Sequence, residues 1–281
     1  IDKAINLHEY LIKEAPTKAL TEKVYLSLAE DYLAAGMLDR GERTLRLLLE
    51  SEEYKMVALK KLTKVYKQQR EWLQSIAMLE QITPETEVLA AERAHLYCEL
   101  AEEELFNTTE VQFDRLMLWL DKAYSADKNC VRATLIRAYA LYDAGNYESA
   151  FEVLLEIEAQ DKKLVPIIIS MVYELSVLLK NTAFFNTWLD KTIAINSHIL
   201  LKIWKTHYLI FNDSFEAGVT YLQNALKRDS NLLGLIVLNQ LQKYNHDKTD
   251  AVLIEKTFRD MLDRYAQFHC DSCGYTTKAM Q

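Results

Sequence analysis

Apolar residues return along this chain at two nested intervals: three or four residues within short segments, and 34 residues between segments. The short interval marks amphipathic helices, because residues three and four apart share one helical face. The long one marks a supersecondary unit copied along the chain. Numbering one unit from Glu22 puts Tyr25, Leu28, Ala29 and Tyr32 at positions 4, 7, 8 and 11 of a first helix. Gly36 then falls in a turn, and Gly41, Leu45 and Leu48 take positions 20, 24 and 27 of a second helix. The next register, from Met56, gives Leu59, Leu62 and Tyr66, then Ser75, Leu79 and Ile82, with Pro84 closing the hairpin. A third unit carries Tyr97, Leu100 and Ala101 and afterwards Leu116, Leu120 and Ala123, and its extra residues around Asn107 to Glu110 read as a loop.

Registers from Val131, Val165 and Ile199 follow at the same spacing. The Val131 unit carries Ala138, Leu141, Gly145, Ala150, Leu154 and Ile157. The Val165 unit is degenerate, with Phe184 and Trp188 expected at the small and large positions of its second helix. The Ile199 unit recovers Gly218, Leu222 and Ala225. Ala4, His8 and Leu11 predict the second helix of a repeat whose first helix lies upstream, so the sequence is expected to open inside the array. After Leu233 the pattern runs on through Ile236 to Tyr244, followed by a capping helix from about Thr249 to Tyr265.

Helical hairpins of this length, with small residues where the two helices meet, are those of the tetratricopeptide repeat (TPR). The predicted fold is all-α, a TPR superhelical solenoid over residues 1–266 followed by the start of a small metal-binding knuckle over 267–281. Six glycines and three prolines in 281 residues fit long helices and leave too few turn signals for a β fold.

A net charge of -8 and a pI near 5.4 oppose a general affinity for nucleic acid. The longest apolar run, Leu164 to Tyr173, contains Pro166 and stops short of the roughly 20 residues that cross a membrane, so it reads as a buried helix. Cys98 and Cys130 sit singly in helical patterns, where a small reduced thiol packs well. No phosphate-cradling glycine loop, nucleophile elbow or paired histidine motif stands out, and the six histidines are scattered over different units. The chain reads as a binding protein rather than an enzyme.

Two features carry candidate chemistry. The first is His269-Cys270-Asp271-Ser272-Cys273-Gly274-Tyr275, where two thiols separated by two residues can share one tetrahedral ion, and where Gly274 permits a left-handed turn. A structural iron or zinc ion held by Cys270 and Cys273 is the expectation, with further ligands beyond Gln281 or in a partner. A redox pair lacks its βαβ setting here, and an uncoordinated tail is the remaining alternative. The second feature is the stripe at positions 2, 5, 9 and 12 of the first helices, where such arrays bind ligands. In the Met56 unit these are Val57, Lys60, Lys64 and Lys67; other units add His95 and Cys98, then Arg132, Leu135, Tyr139 and Tyr142. The stripe is either a groove for an acidic or C-terminal peptide or a solvated lysine face.

Asp31-Tyr32-Leu33-Ala34-Ala35-Gly36, His95-Leu96-Tyr97-Cys98-Glu99-Leu100-Ala101, Ala126-Asp127-Lys128-Asn129 and Cys270-x-x-Cys273-Gly274-Tyr275 together resemble the lipopolysaccharide assembly protein B family, in the same order and over nearly the whole chain. The resemblance implies a bacterial inner-membrane protein with one N-terminal membrane helix, cytoplasmic TPRs and a C-terminal rubredoxin-like knuckle with two cysteine pairs. The anchor is then expected before Ile1 and the second pair after Gln281. It further implies a non-enzymatic adaptor that limits lipopolysaccharide synthesis. Its partners would be a membrane-bound AAA-type zinc protease, the deacetylase that commits precursors to lipid A, and other lipopolysaccharide assembly proteins. Two other classes stay open at this point: a general peptide-binding co-chaperone, suggested by the lysine stripe, and a thiol oxidoreductase using Cys270 and Cys273.

Overall fold

The computed structural model describes residues 1–14, 17–106 and 112–244, together with the backbone of 267–269 and 276–278. The expected loop at Asn107 to Glu110, the capping helix from Thr249, and the residues Cys270, Cys273 and Tyr275 lie outside the described residues. Two compact units divide the chain between Cys130 and Val131.

The first unit is a run of antiparallel helices, each packed on the next: α1 (Asp2–Glu14), α2 (Lys18–Ala34), α3 (Leu38–Arg46), α4 (Lys55–Gln69), α5 (Trp72–Leu79), α6 (Glu87–Phe106) and α7 (Phe113–Ala126). A 3-10 turn, Leu47–Glu50, extends α3. The second unit holds α8 (Val131–Asp143), α9 (Tyr147–Leu155), the single turn α10 (Ile157–Gln160), α11 (Val165–Leu178), α12 (Thr182–Ile195), α13 (Ile199–Asn212), α14 (Phe215–Arg228) and α15 (Leu232–Tyr244). Two short strands, β1 (Gln267–His269) and β2 (Thr276–Lys278), pair antiparallel with His269 opposite Thr276. Among the described residues that ribbon is the one strand pairing, and the hairpin architecture is the all-α TPR type that the periodicity predicts.

The hairpins close by a shared device. Gly36, Arg70, Gly145 and Lys180 all adopt positive φ, between 54° and 76°. In each case the next amide reaches back to a helix carbonyl: Met37 to Tyr32 (2.8 Å), Glu71 to Tyr66 (2.8 Å), Asn146 to Leu141 (2.9 Å) and Asn181 to Ser176 (2.7 Å). These bonds satisfy carbonyls that a helix end otherwise leaves open. Arg70 and Lys180 bear the steric cost of a Cβ in that conformation, about 1 kcal/mol each.

From that left-handed residue the second helix is laid out identically. Five residues on lie Gly41, Ser75, Ala150 and Phe185; nine on lie Leu45, Leu79, Leu154 and Leu189; twelve on lie Leu48, Ile82, Ile157 and Thr192, and all are buried. Burial of each leucine or isoleucine contributes about 1.5–3 kcal/mol relative to exposure. This geometry corrects the register expected for the Val165 unit. Its left-handed residue, Lys180, follows Gly145 by 35 residues rather than 34, so α12 turns one position further and Phe185, not Phe184, enters the hairpin. Phe184 instead meets Phe151 edge-on at 5.3 Å, while Trp188, also buried, donates its indole N–H to Glu158 at 3.2 Å.

The apolar run Leu164 to Tyr173 forms most of α11, which is buried through Val165, Ile167, Ile168, Ile169, Met171, Val172 and Leu175 and opens with Pro166 in its first turn. Among the described residues no helix is long and apolar enough to cross a membrane.

Candidate protein-binding surface

In the first unit the stripe predicted on α4 is present. Val57, Lys60 and Lys64 are exposed, because Leu59, Leu62, Thr63 and Tyr66 turn the opposite face into the core. The three lysines are not equivalent. Lys67 Nζ donates to Glu92 Oε1 of α6 at 2.8 Å, so its charge is already matched, whereas Lys60 and Lys64 have no ion-pair partner among the described residues. Lys61, one position off the stripe, is tied to Glu30 of α2 at 2.8 Å. The basic feature is therefore two lysines one turn apart beside Val57, itself 39% exposed, rather than a run of three.

On α6, His95 is half-buried. Cys98 does not line the surface as expected: it is fully buried, its sulfur 3.8 Å from that of Cys130. The reason is local, since α6 also buries Ala94, Ala101 and the carboxyl-bearing Glu104, which accepts an ion pair from Arg115 of α7 at 2.9 Å. With Glu92, Glu99 and Glu102 partly exposed on the same helix, the lysine pair has an acidic neighbour rather than a basic one.

The second unit presents a different chemistry. On α8, Arg132 is half-buried, Leu135 is buried and Tyr139 is exposed. Tyr142 donates its hydroxyl to Glu174 Oε1 of α11 at 2.7 Å. That hydrogen bond, with burial and the carboxylate's charge, pushes the phenol pKa up to about 12. Position 9 of the three successive first helices holds Tyr139, Tyr173 and His207, a series that repeats every 34 residues but was not singled out in the sequence. Tyr173 and His207 meet edge-on at 5.4 Å, Trp204 packs 5.2 Å from His207, and Phe211, partly exposed, lies 4.6 Å from His207. At these positions the first unit presents charge, while in the second Tyr139 and Phe211 are exposed, Tyr173 is partly exposed, and Trp204 and His207 are buried. Aromatic side chains carry large contact area at low entropic cost and are enriched where proteins bind each other.

Among the described residues no group of three or more histidine, cysteine or acidic side chains could hold a metal ion. The candidate metal ligands Cys270 and Cys273 belong to the six residues that connect the paired strands β1 and β2.

Fold and surface together define a helical-hairpin repeat protein of the tetratricopeptide type. The chain is similar to lipopolysaccharide assembly protein B: 27% identity with the Escherichia coli K12 protein over 288 residues, 98% of this chain and 72% of that one. The Haemophilus influenzae Rd protein of the same name is 23% identical over 287 residues, again 98% of this chain and 70% of its own length. No family model matches. Matches among solved structures include a tetratricopeptide repeat protein from Parabacteroides merdae (TM-score 0.36, 15% identity, 86% of this chain and 91% of that one). Another is YrrB, a TPR protein with an unusual peptide-binding site (TM-score 0.36, 18% identity, 69% and 95%).

Proposed function

We propose that this chain is a non-enzymatic adaptor in the control of lipopolysaccharide assembly, presenting the lipid A pathway deacetylase to a membrane-bound AAA-type protease. The observation that carries the reading is the similarity to lipopolysaccharide assembly protein B along 98% of the chain. The surface supports the adaptor part of it. Exposed Lys60 and Lys64 in one unit and the Tyr139 and Phe211 rings in the other supply two unlike contact chemistries, as a protein that holds two partners requires. Membrane attachment at the cytoplasmic face through an N-terminal helix belongs to the same proposal.

Cys270 and Cys273 complete the picture. Their donor set suits iron or zinc, and the antiparallel pairing of β1 with β2 joins the two ends of the segment that contains them. A bound ion would supply structural cross-linking there, its remaining ligands coming from further cysteines. Without such an ion so short a segment has too little core to fold alone.

The test is affinity capture of the full-length protein with detection of protease and deacetylase. Both should co-purify with the wild type, and Lys60→Glu with Lys64→Glu should weaken capture of one partner at least tenfold, about 1.4 kcal/mol. Absence of both partners from the wild-type complex would remove the adaptor reading. The second reading, a general peptide-binding co-chaperone, rests on the same two unmatched lysines. It requires the double variant to lose binding of many unrelated acidic C-terminal peptides rather than of one protein.

A further inference from the structure

Cys98 and Cys130 are 32 residues apart in sequence, yet the fold of the first unit brings their sulfurs to 3.8 Å, van der Waals contact, with the side chains 0% and 3% exposed. Their settings differ. Cys98 lies in the middle of α6, held by helical hydrogen bonds on both sides. Cys130 ends the turn after α7: its N–H donates to the Asp127 carbonyl at 3.2 Å, the Asp127 carboxylate accepts from the Asn129 N–H at 2.9 Å, and Lys128 and Asn129 are exposed. One sulfur is therefore fixed on a helix and the other, though buried, sits at the end of a short turn whose two preceding residues are exposed. A disulfide needs the sulfurs at about 2.05 Å, so closure asks for an approach of about 1.8 Å, within reach of a χ1 rotation at Cys130 and a small yield of its turn.

We propose that Cys98 and Cys130 form a peroxide-sensitive thiol pair that closes to an intramolecular disulfide, a modification site separate from the Cys270 and Cys273 pair. Hydrogen peroxide is the two-electron oxidant, and the thiol nearest solvent is Cys130, 3% exposed and adjoining the exposed Lys128 and Asn129. The Cys130 sulfur attacks one peroxide oxygen, the O–O bond breaks, and water leaves to give a sulfenic acid. The Cys98 sulfur then attacks the Cys130 sulfur, the S–O bond breaks, and a second water carries away the thiol proton. Two thiols and one peroxide thus become one disulfide and two waters. The bond ties α6 to the last residue of the first unit and is reversed by dithiol exchange.

The experiment exposes the full-length protein to hydrogen peroxide, alkylates remaining thiols under denaturing conditions and maps peptides without reduction. The expected product is one linked peptide pair containing Cys98 and Cys130, lighter by two hydrogens and released by dithiothreitol. In Cys98→Ala the sulfenic acid of Cys130 should persist and be captured by dimedone, whereas in Cys130→Ala the Cys98 thiol should stay alkylatable. The wild-type map decides the matter even if a variant folds poorly. Retention of both thiols, oxidation of Cys130 to sulfinic acid without a cross-link, or linkage of either residue to Cys270 or Cys273 would each overturn the proposal.

Discussion

Gly41 and Gly218 occupy the same place in their hairpins, position 20, in the first turn of α3 and α14. Replacing either by alanine gains the same helix propensity, about 0.8–1 kcal/mol. The space differs. A Cβ at Gly41 would come within 2.5 Å of Leu33 Cδ2 and 2.9 Å of its Cγ, but stays 3.6 Å from the Ala29 carbonyl. Leu33 is half-buried and can change rotamer at a cost of about 0.5–1.5 kcal/mol, so Gly41→Ala should be close to neutral. At Gly218 the Cβ would meet Ile210 Cγ1 at 2.5 Å and the Thr206 carbonyl oxygen, a backbone atom, at 2.9 Å. There α14 must move away from α13 because a backbone atom cannot change rotamer, which puts the cost in the upper part of the usual overpacking range, about 2–3 kcal/mol, and leaves a net loss of about 1–2 kcal/mol after the propensity gain. With a urea m-value of about 2 kcal/mol/M the midpoint of the second unit should fall by about 0.5–1 M. Circular dichroism in urea measures the shift, and amide hydrogen exchange over α13 and α14 localises it. A Gly218→Ala protein as stable as wild type, with α13 and α14 amides equally protected, would refute the argument that backbone approach sets this position.

The Tyr142 phenol has its pKa raised from 10.0 to about 12, so its hydrogen bond to Glu174 contributes stability in full below pH 10 and loses it as pH rises towards 12. Tyr142→Phe should remove that alkaline component and leave stability lower but flatter with pH, which thermal melts across pH 8.5–11.5 would check at roughly half-unit steps. Cys270→Ser or Cys273→Ser should abolish bound metal, read by elemental analysis of the full-length protein, without changing the far-ultraviolet helical signal. Full metal content in the double variant would show that these two thiols are not the ligands.

The hairpins were legible in the sequence because each second helix must bury one face at a fixed distance from its turn, and that constraint leaves residues such as Gly41, Leu45 and Leu48 in plain view. It failed at the Val165 unit, where the left-handed Lys180 comes one residue later than the 34-residue period puts it, and nothing in Lys180 itself signals positive φ. The lysine stripe was legible as helical spacing, but pairing of Lys67 with Glu92 depends on which helix lies alongside, and a lysine's own sequence neighbours do not report that. Cys98, legible as a packed thiol in a helical pattern, is buried as that pattern implies and leaves the stripe, because α6 turns it inward with Ala94 and Ala101. The series Tyr139, Tyr173 and His207 follows from the 34-residue period, but the period does not show that Tyr139 is exposed while His207 is buried.

The most direct test of the adaptor account is the half-life of the lipid A pathway deacetylase in cells depleted of the full-length protein. The account predicts that depletion lengthens the half-life, that the wild-type protein restores rapid turnover, and that Lys60→Glu with Lys64→Glu restores it only in part. An unchanged deacetylase half-life after depletion would contradict it.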